Sequence, residues 1–224
     1  MENMPVKDRL REAAFGLFES QGFERTTVDD IAARAGVGRT TYFRHFPTKE
    51  DVIFPDHDVL LASVGERLAT ASPSTGSVAV VEAARLVLRH YLAEGDVARS
   101  RYRLISAVPA LREREIAGQR QYQRTFLGFI RGWLDQGPDA ELRAELMADA
   151  VVTAHNHVLR QWLRGRTSTP EADFDSAMDH VLRLFVHGGT WVESEGPDTV
   201  VMVVRTSRAL DALVPELERV LADE

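Results

Sequence analysis

Between Ile31 and Lys49 the chain carries Arg34, Arg39, Arg44 and Lys49 and no Asp or Glu, a local balance of +4 in a 224-residue protein whose net charge is −7. Cations concentrated in one short segment suit a polyanion, because Lys and Arg neutralise phosphates and release their counterions. Reactive chemistry finds less support. Cysteine is absent, which removes disulfides, thiolate metal sites and cysteine nucleophiles. His155 and His157 fall on different helix faces, and His180 and His187 lie two turns apart without carboxylates at ligand spacing, so no metal site is expected. There is no nucleophile elbow, phosphate-binding loop, dinucleotide fingerprint or HExxH motif. The chain reads as a binding protein that is not an enzyme and needs no cofactor.

Holding those cations in place requires helices, and apolar spacing supplies them. Leu10, Ala13, Ala14, Leu17 and Phe18 form one face of a helix over Val6–Gln21, stopped by Gly22. Thr27, with Asp30 three residues on, caps a second short helix that ends at Gly36. Phe46-Pro47 closes the next segment, since a residue before proline is pushed out of helical geometry. Thr48 and Asp51 cap a fourth helix. Pro55, about one turn inside it, lacks an N–H and predicts a kink or a restart near Phe54, before Leu60, Leu61, Val64 and Leu68 continue the pattern.

Ala71–Ser77 (ASPSTGS) reads as a turn between two units. Val81, Ala84, Leu88, Tyr91 and Leu92 mark a further helix, and Tyr122, Phe126, Phe129, Ile130, Trp133 and Leu134 another, ended by Gly137-Pro138. Leu142, Leu146, Ala150, Ala154, Val158 and Trp162 form a strict i+4 stripe; Phe174, Ala177, Met178, Val181, Leu182 and Phe185 follow Thr169-Pro170 on one face. Val200-Val201-Met202-Val203-Val204 is open between a short strand and the start of a last helix. The fold class is all-α.

Residues 27–50, TVDDIAARAGVGRTTYFRHFPTKE, meet the needs of a helix-turn-helix. Ala32 is small where two helices cross, Gly36 sits at the turn, and Ile31, Ala35 and Val37 supply a shared core. The following helix, Arg39 to His45, offers Arg, Thr and His without an acid, which suits base edges and phosphates in a major groove. In the run Thr-Val-x-x-Ile-Ala-x-x-Ala-Gly-Val, then Thr-aromatic-aromatic-Arg-His-Phe-Pro-x-Lys-Glu, the sequence resembles the TetR family over about residues 7 to 54.

That resemblance implies that Thr40, Thr41, Phe43, Arg44 and His45 face DNA, with Thr27 and Lys49 on its backbone and Tyr42 turned inward; Arg39 begins the same helix and joins the DNA-binding set. Solvated surface charge is the competing reading for Arg39 and Arg44, and core for Phe43. Two positions depart from the family: Gly38 stands where serine is usual, weakening the helix cap by roughly a few tenths of a kcal/mol, and Phe43 stands where tyrosine is usual, losing a phosphate hydrogen bond.

The resemblance further implies a three-helix DNA-binding domain over residues 1–54. A fourth helix reaching to about residue 70 joins it to a helical effector-binding and dimerisation domain over residues 77–224. The two stripes of the last long helices suit a homodimer interface, with internal packing as the alternative. Tyr102, Tyr122, Phe126, Phe129, Trp133, His155 and Trp162 are the effector-binding candidates, a mostly apolar set with polar tips, against which plain core is the alternative. Seven arginines between Val97 and Arg124 suit either an acidic effector or a solvated, ion-paired face.

A hydrophobic content of 44% with 27% charged residues is ordinary for a globular protein. The first ten residues lack an apolar signal core and no run approaches 18 apolar residues, so a cytoplasmic location and no membrane partner are expected. The expected function is a repressor released from a palindromic operator DNA by a small-molecule effector. The alternative is a helical ligand-binding or protein-interaction module that no longer reads DNA specifically.

Overall fold

The computed structural model describes residues 4–134 and 139–186; Gly137-Pro138 and the Val200–Val204 run lie outside the described residues. Among the described residues every regular element is helical. Helix α1 (Val6–Gln21) buries Leu10, Ala13, Ala14 and Phe18 and stops at Gly22, whose φ of 87° is a backbone that side-chain-bearing residues resist. Helix α2 (Val28–Arg34) opens on a reciprocal cap. Thr27 Oγ1 accepts from the Asp30 N–H at 3.2 Å, and the Asp30 carboxylate accepts from the Thr27 N–H at 2.9 Å. Gly36, at φ 68°, turns the chain into α3 (Arg39–His45).

These helices enclose a small core of Leu10, Phe18, Phe23, Ile31, Tyr42, Phe46, Val52 and Ile53, which Ile105 and Leu111, from far along the chain, complete. Tyr42 is fully buried and its hydroxyl donates to the Thr48 carbonyl at 3.2 Å. The inward position expected of Tyr42 is thus met, with its polar tip satisfied.

The fourth helix restarts; it does not kink. The Thr48 N–H donates to Asp51 at 2.7 Å as the capping pattern requires, but only one 3-10 turn forms, Glu50–Val52. The chain leaves helical hydrogen bonding through Phe54-Pro55, and α4 (His57–Ala69) begins anew. Pro55 has no N–H to continue the ladder, and its ring disfavours helical backbone at Phe54. The carbonyl of Ile53, released from a helical partner, accepts instead from Arg101 Nε at 2.6 Å.

Beyond α4, the Ala71–Ser77 stretch holds a 3-10 turn, Pro73–Thr75, and α5 (Gly76–Glu94) begins within it. Trp133 lies against Gly76 so closely that any side chain there would collide with the indole. Gly95, at φ 55°, separates α5 from α6 (Asp96–Ala107), and Pro109 starts α7 (Pro109–Trp133). Helices α8 (Ala140–Leu163) and α9 (Pro170–Phe185) follow, α8 packing against both α7 and α9. Leu88, Phe126, Ile130, Met147, Val151, Phe174 and Met178 fill the larger core. Ion pairs Arg85–Asp175 at 2.6 Å and Arg89–Glu171 at 2.8 Å pin α9 to α5.

The i+4 stripe of α8 does not stay on one face. Each four-residue step turns about 40° beyond a full circle, so five steps sweep about 200°. Leu142 and Leu146 are more than half exposed, Ala150 and Ala154 are half-buried, and Val158 and Trp162 are core. On α9, Phe174, Met178 and Val181 are buried within the chain, while Ala177, Leu182 and Phe185 are half-buried.

Candidate nucleic-acid interface and ligand cavity

Helix α3 exposes Arg39, Thr40, Phe43 and Arg44, positions i, i+1, i+4 and i+5 on one face, while Thr41 and His45 are half-buried beside them. Thr27 is exposed at the start of α2. Gly38 caps α3 without a side-chain hydrogen bond. Arg39 pairs with Asp29 at 2.7 Å, both well exposed, and its guanidinium lies 5.3 Å from the Phe43 ring centre. Arg44 has no hydrogen-bond or ion-pair partner among the described residues and is free to reach a phosphate or a base edge. Lys49 is anchored: its ammonium donates to the Phe23 carbonyl at 2.9 Å and sits 4.0 Å from the Phe23 ring centre. Two of its three N–H groups remain available.

Behind α3 a polar cleft of about 480 Å³ is bordered by Lys7, His45, Asp51, Asp56, His57, Arg114 and Gly118. Across it, Lys7 pairs with Asp56 at 2.9 Å, and Arg114 of α7 pairs with Asp51 and covers the Phe54 ring at 5.1 Å. Burial pushes the Asp51 carboxyl up, but hydrogen bonds from Thr48 and Arg114 outweigh it and hold it below the usual range. Helix α7 is thereby tied to the segment that follows α3.

Within the helices of the larger core lies a narrow inner chamber of about 40 Å³. Ala84, Val87, Phe126, Val151 and Leu159 form its apolar wall, and His57, Tyr91, Glu115, Gln119, Tyr122, His155 and Asn156 its polar groups. An outer chamber of about 350 Å³, bordered by Arg101, Tyr102, Arg112 and Arg160, shares Tyr91, Glu115, Gln119, Asn156 and Leu159 with it. His57 Nδ1 lies 3.2 Å from the Tyr122 hydroxyl, within hydrogen-bond distance, and burial lowers the imidazole pKa, favouring a neutral ring. His155 is driven by burial down to about 4. Burial raises the Glu115 carboxyl.

Residues 10–54 match the family described as "Bacterial regulatory proteins, tetR family", and residues 77–190 match the "MftR C-terminal domain". The chain belongs to the TetR family. Among curated relatives of this TetR-family regulator, HTH-type transcriptional regulator TcmR of Streptomyces glaucescens is 27% identical over 187 residues, covering 78% of this chain and 81% of that one. A putative mycofactocin biosynthesis transcriptional regulator, MftR of Mycobacterium tuberculosis, is 26% identical over 170 residues, covering 74% and 86%. The fold is that of SmeT, repressor of the Stenotrophomonas maltophilia multidrug efflux pump SmeDEF, at a TM-score of 0.55 and 19% identity over 88% of this chain and 98% of that one; SmeT is also solved with triclosan. The relatives are transcriptional regulators, which supports DNA binding over a module that has lost it. No described helix is long and apolar enough to cross a membrane.

For the TetR-family chain, three of the effector candidates, Tyr122, Phe126 and His155, come together in the inner chamber, and Tyr102 borders the outer one with its hydroxyl accepting from Arg164 Nε at 2.7 Å. Phe129, Trp133 and Trp162 line neither chamber. Phe129 stacks on Trp133, which seals Gly76, and Trp162 lies under Arg99 at 5.0 Å. Five polar lining groups, His57, Tyr91, Glu115, Gln119 and Asn156, were not among the sequence candidates. Gln119 and Glu115 stand one turn and two turns before Tyr122 on α7, so the i−3 and i−7 positions from that tyrosine were the available signal. Arg101 corrects the reading of the arginine run as a solvated face: it is 2% exposed and gripped by Glu94.

Proposed function

We propose that this TetR-family regulator is a cytoplasmic homodimeric repressor that leaves a palindromic operator when a small molecule enters the α5–α8 chambers. Residues 1–54 are the DNA-binding part and residues 77–224 the effector-binding and dimerising part, with α4 between them. On this reading Arg39, Thr40, Thr41, Phe43 and Arg44 face the major groove, while Thr27, His45 and Lys49 flank it at the backbone. Leu142 and Leu146 of α8 and Leu184 of α9, each more than half exposed, offer apolar surface to a second subunit.

The observation that carries the coupling is His57. It is the first residue of α4, it lines the inner chamber, and its ring is hydrogen-bonded to Tyr122. A ligand that displaces Tyr122 therefore acts on the helix that carries the DNA-binding part, and an effector shifts an equilibrium only through such a difference in contacts. Recognition helices moved out of one-turn spacing no longer match both half-sites. The test is fluorescence anisotropy with a labelled duplex from the region upstream of the gene itself. Nanomolar, salt-dependent binding that a scrambled duplex does not reproduce is expected; equal binding to both duplexes rejects the reading.

A further inference from the structure

The polar groups of the inner chamber are not evenly supplied with partners. His155, on α8, is 7% exposed, and its Nδ1 lies 3.2 Å from Asn156 Oδ1. That bond puts the proton on Nδ1 and leaves a lone pair on Nε2, which is buried without any hydrogen-bond partner. Glu115, on α7, opens onto the same chamber with Gln119 as its hydrogen-bond partner. The Tyr122 hydroxyl is already engaged with His57 Nδ1. The chamber thus presents two under-used acceptors in an apolar wall, and a buried acceptor without a donor is costly.

Resting on the effector-site reading above, we infer that the inner chamber of about 40 Å³ and the outer one of about 350 Å³, joined through their shared lining, form one site that selects an apolar molecule bearing an O–H or N–H, a phenol or an alkylammonium, and that His155 Nε2 is the acceptor that reads the donor reaching the inner chamber. A carboxylate or phosphate is rejected there, because it would bring a charge and more lone pairs against Glu115 and a bare imidazole nitrogen. An ether of the same shape fits the apolar wall but leaves Nε2 unpaired. Sites built to bond an O–H or N–H discriminate strongly against analogues lacking it.

Isothermal titration of the full-length protein with 4-ethylphenol, 4-ethylbenzylammonium, 4-ethylanisole and 4-ethylbenzoate tests this. The phenol or the ammonium binds at least tenfold more tightly than the ether and the benzoate. His155→Leu brings phenol and ether within about twofold, and His155→Gln, which keeps an acceptor, restores the preference. Equal phenol and ether affinities in the wild-type protein, tighter benzoate, no binding by any probe, or a preference that survives His155→Leu in a protein with unchanged circular dichroism each overturns it. Anisotropy of the upstream duplex is measured in the same samples without probe. Loss of specific DNA binding there counts against the regulatory reading, whereas intact DNA binding with a flat probe series counts against the donor-reading chamber alone.

Discussion

Arg101 of α6 holds Glu94 at the end of α5 through two parallel hydrogen bonds of 2.5 and 2.8 Å, spanning the bend at Gly95. The third donor of the same guanidinium goes to the Ile53 carbonyl that Pro55 leaves without a helical partner. One buried side chain therefore closes an interhelical corner and caps the break before α4. Arg101→Ala leaves Glu94 charged, 15% exposed and without its main partner. Removing one member of a buried pair costs about 3–5 kcal/mol. Urea unfolding is expected to show that loss with an unchanged slope, and a loss below 1 kcal/mol would count against the clasp.

Acid should weaken the fold in two stages. Burial lowers His155 to about 4 from an ordinary value near 6.5. Between those two values the unfolded chain binds a proton that the folded one refuses, so stability falls as pH drops, by up to about 1.4 kcal/mol per pH unit. Burial raises Glu94, but Arg101 outweighs it and the carboxyl sits below its ordinary value. Its contribution is present above the unfolded carboxylate range and is lost as pH falls through the folded value. Unfolding midpoints of wild type and His155→Leu, followed from pH 7 to pH 4, should differ in slope; parallel curves would contradict a neutral buried imidazole.

The N-terminal helices were legible because local chemistry specifies them: Val6–Gln21 and Arg39–His45 end where the caps, Gly22 and Phe46-Pro47 predict. Helix α4 was less so, since Pro55 announces a break without saying whether the helix bends or restarts; the answer lies in Arg101, 48 residues away, which takes the Ile53 carbonyl. The cavity was the least legible. Tyr122, Phe126 and His155 share its wall with His57, which no helical spacing connects to them, and Trp133 was diverted to Gly76 by packing across the larger core. Chambers between helices are made by long-range packing, and aromatic content cannot separate a lining ring from a filling one.

On the DNA side, Arg44 and Lys49 should behave differently despite their equal charge. Arg44→Ala removes an unpaired cation and is expected to weaken operator binding while reducing the salt slope by about one ion. Lys49→Ala also cuts the tie to the Phe23 carbonyl, so it should lower thermal stability as well as affinity. Asp29→Asn, which releases Arg39 and removes a negative charge beside α3, is expected to tighten binding severalfold at low salt and little at high salt. Salt titrations of the three variants against one duplex distinguish these outcomes.

The contact between Tyr122 and His57 separates two properties that most substitutions in a regulator would change together. Tyr122→Phe keeps the ring against the chamber but removes the hydroxyl that meets His57 Nδ1 at 3.2 Å. Operator affinity without ligand should then stay within about twofold, because the DNA face and the Arg114–Asp51 tie are untouched. The fold by which a bound ligand lowers operator affinity should shrink, by about fivefold if the lost hydrogen bond is worth about 1 kcal/mol of coupling. Linkage requires the reciprocal effect: DNA must penalise ligand binding less in the variant by the same factor. Measuring both sides of that cycle, duplex affinity with and without ligand and ligand affinity with and without duplex, tests the route through α4, and an unchanged coupling factor in Tyr122→Phe would place the route elsewhere, the Arg114–Asp51 tie being next in line.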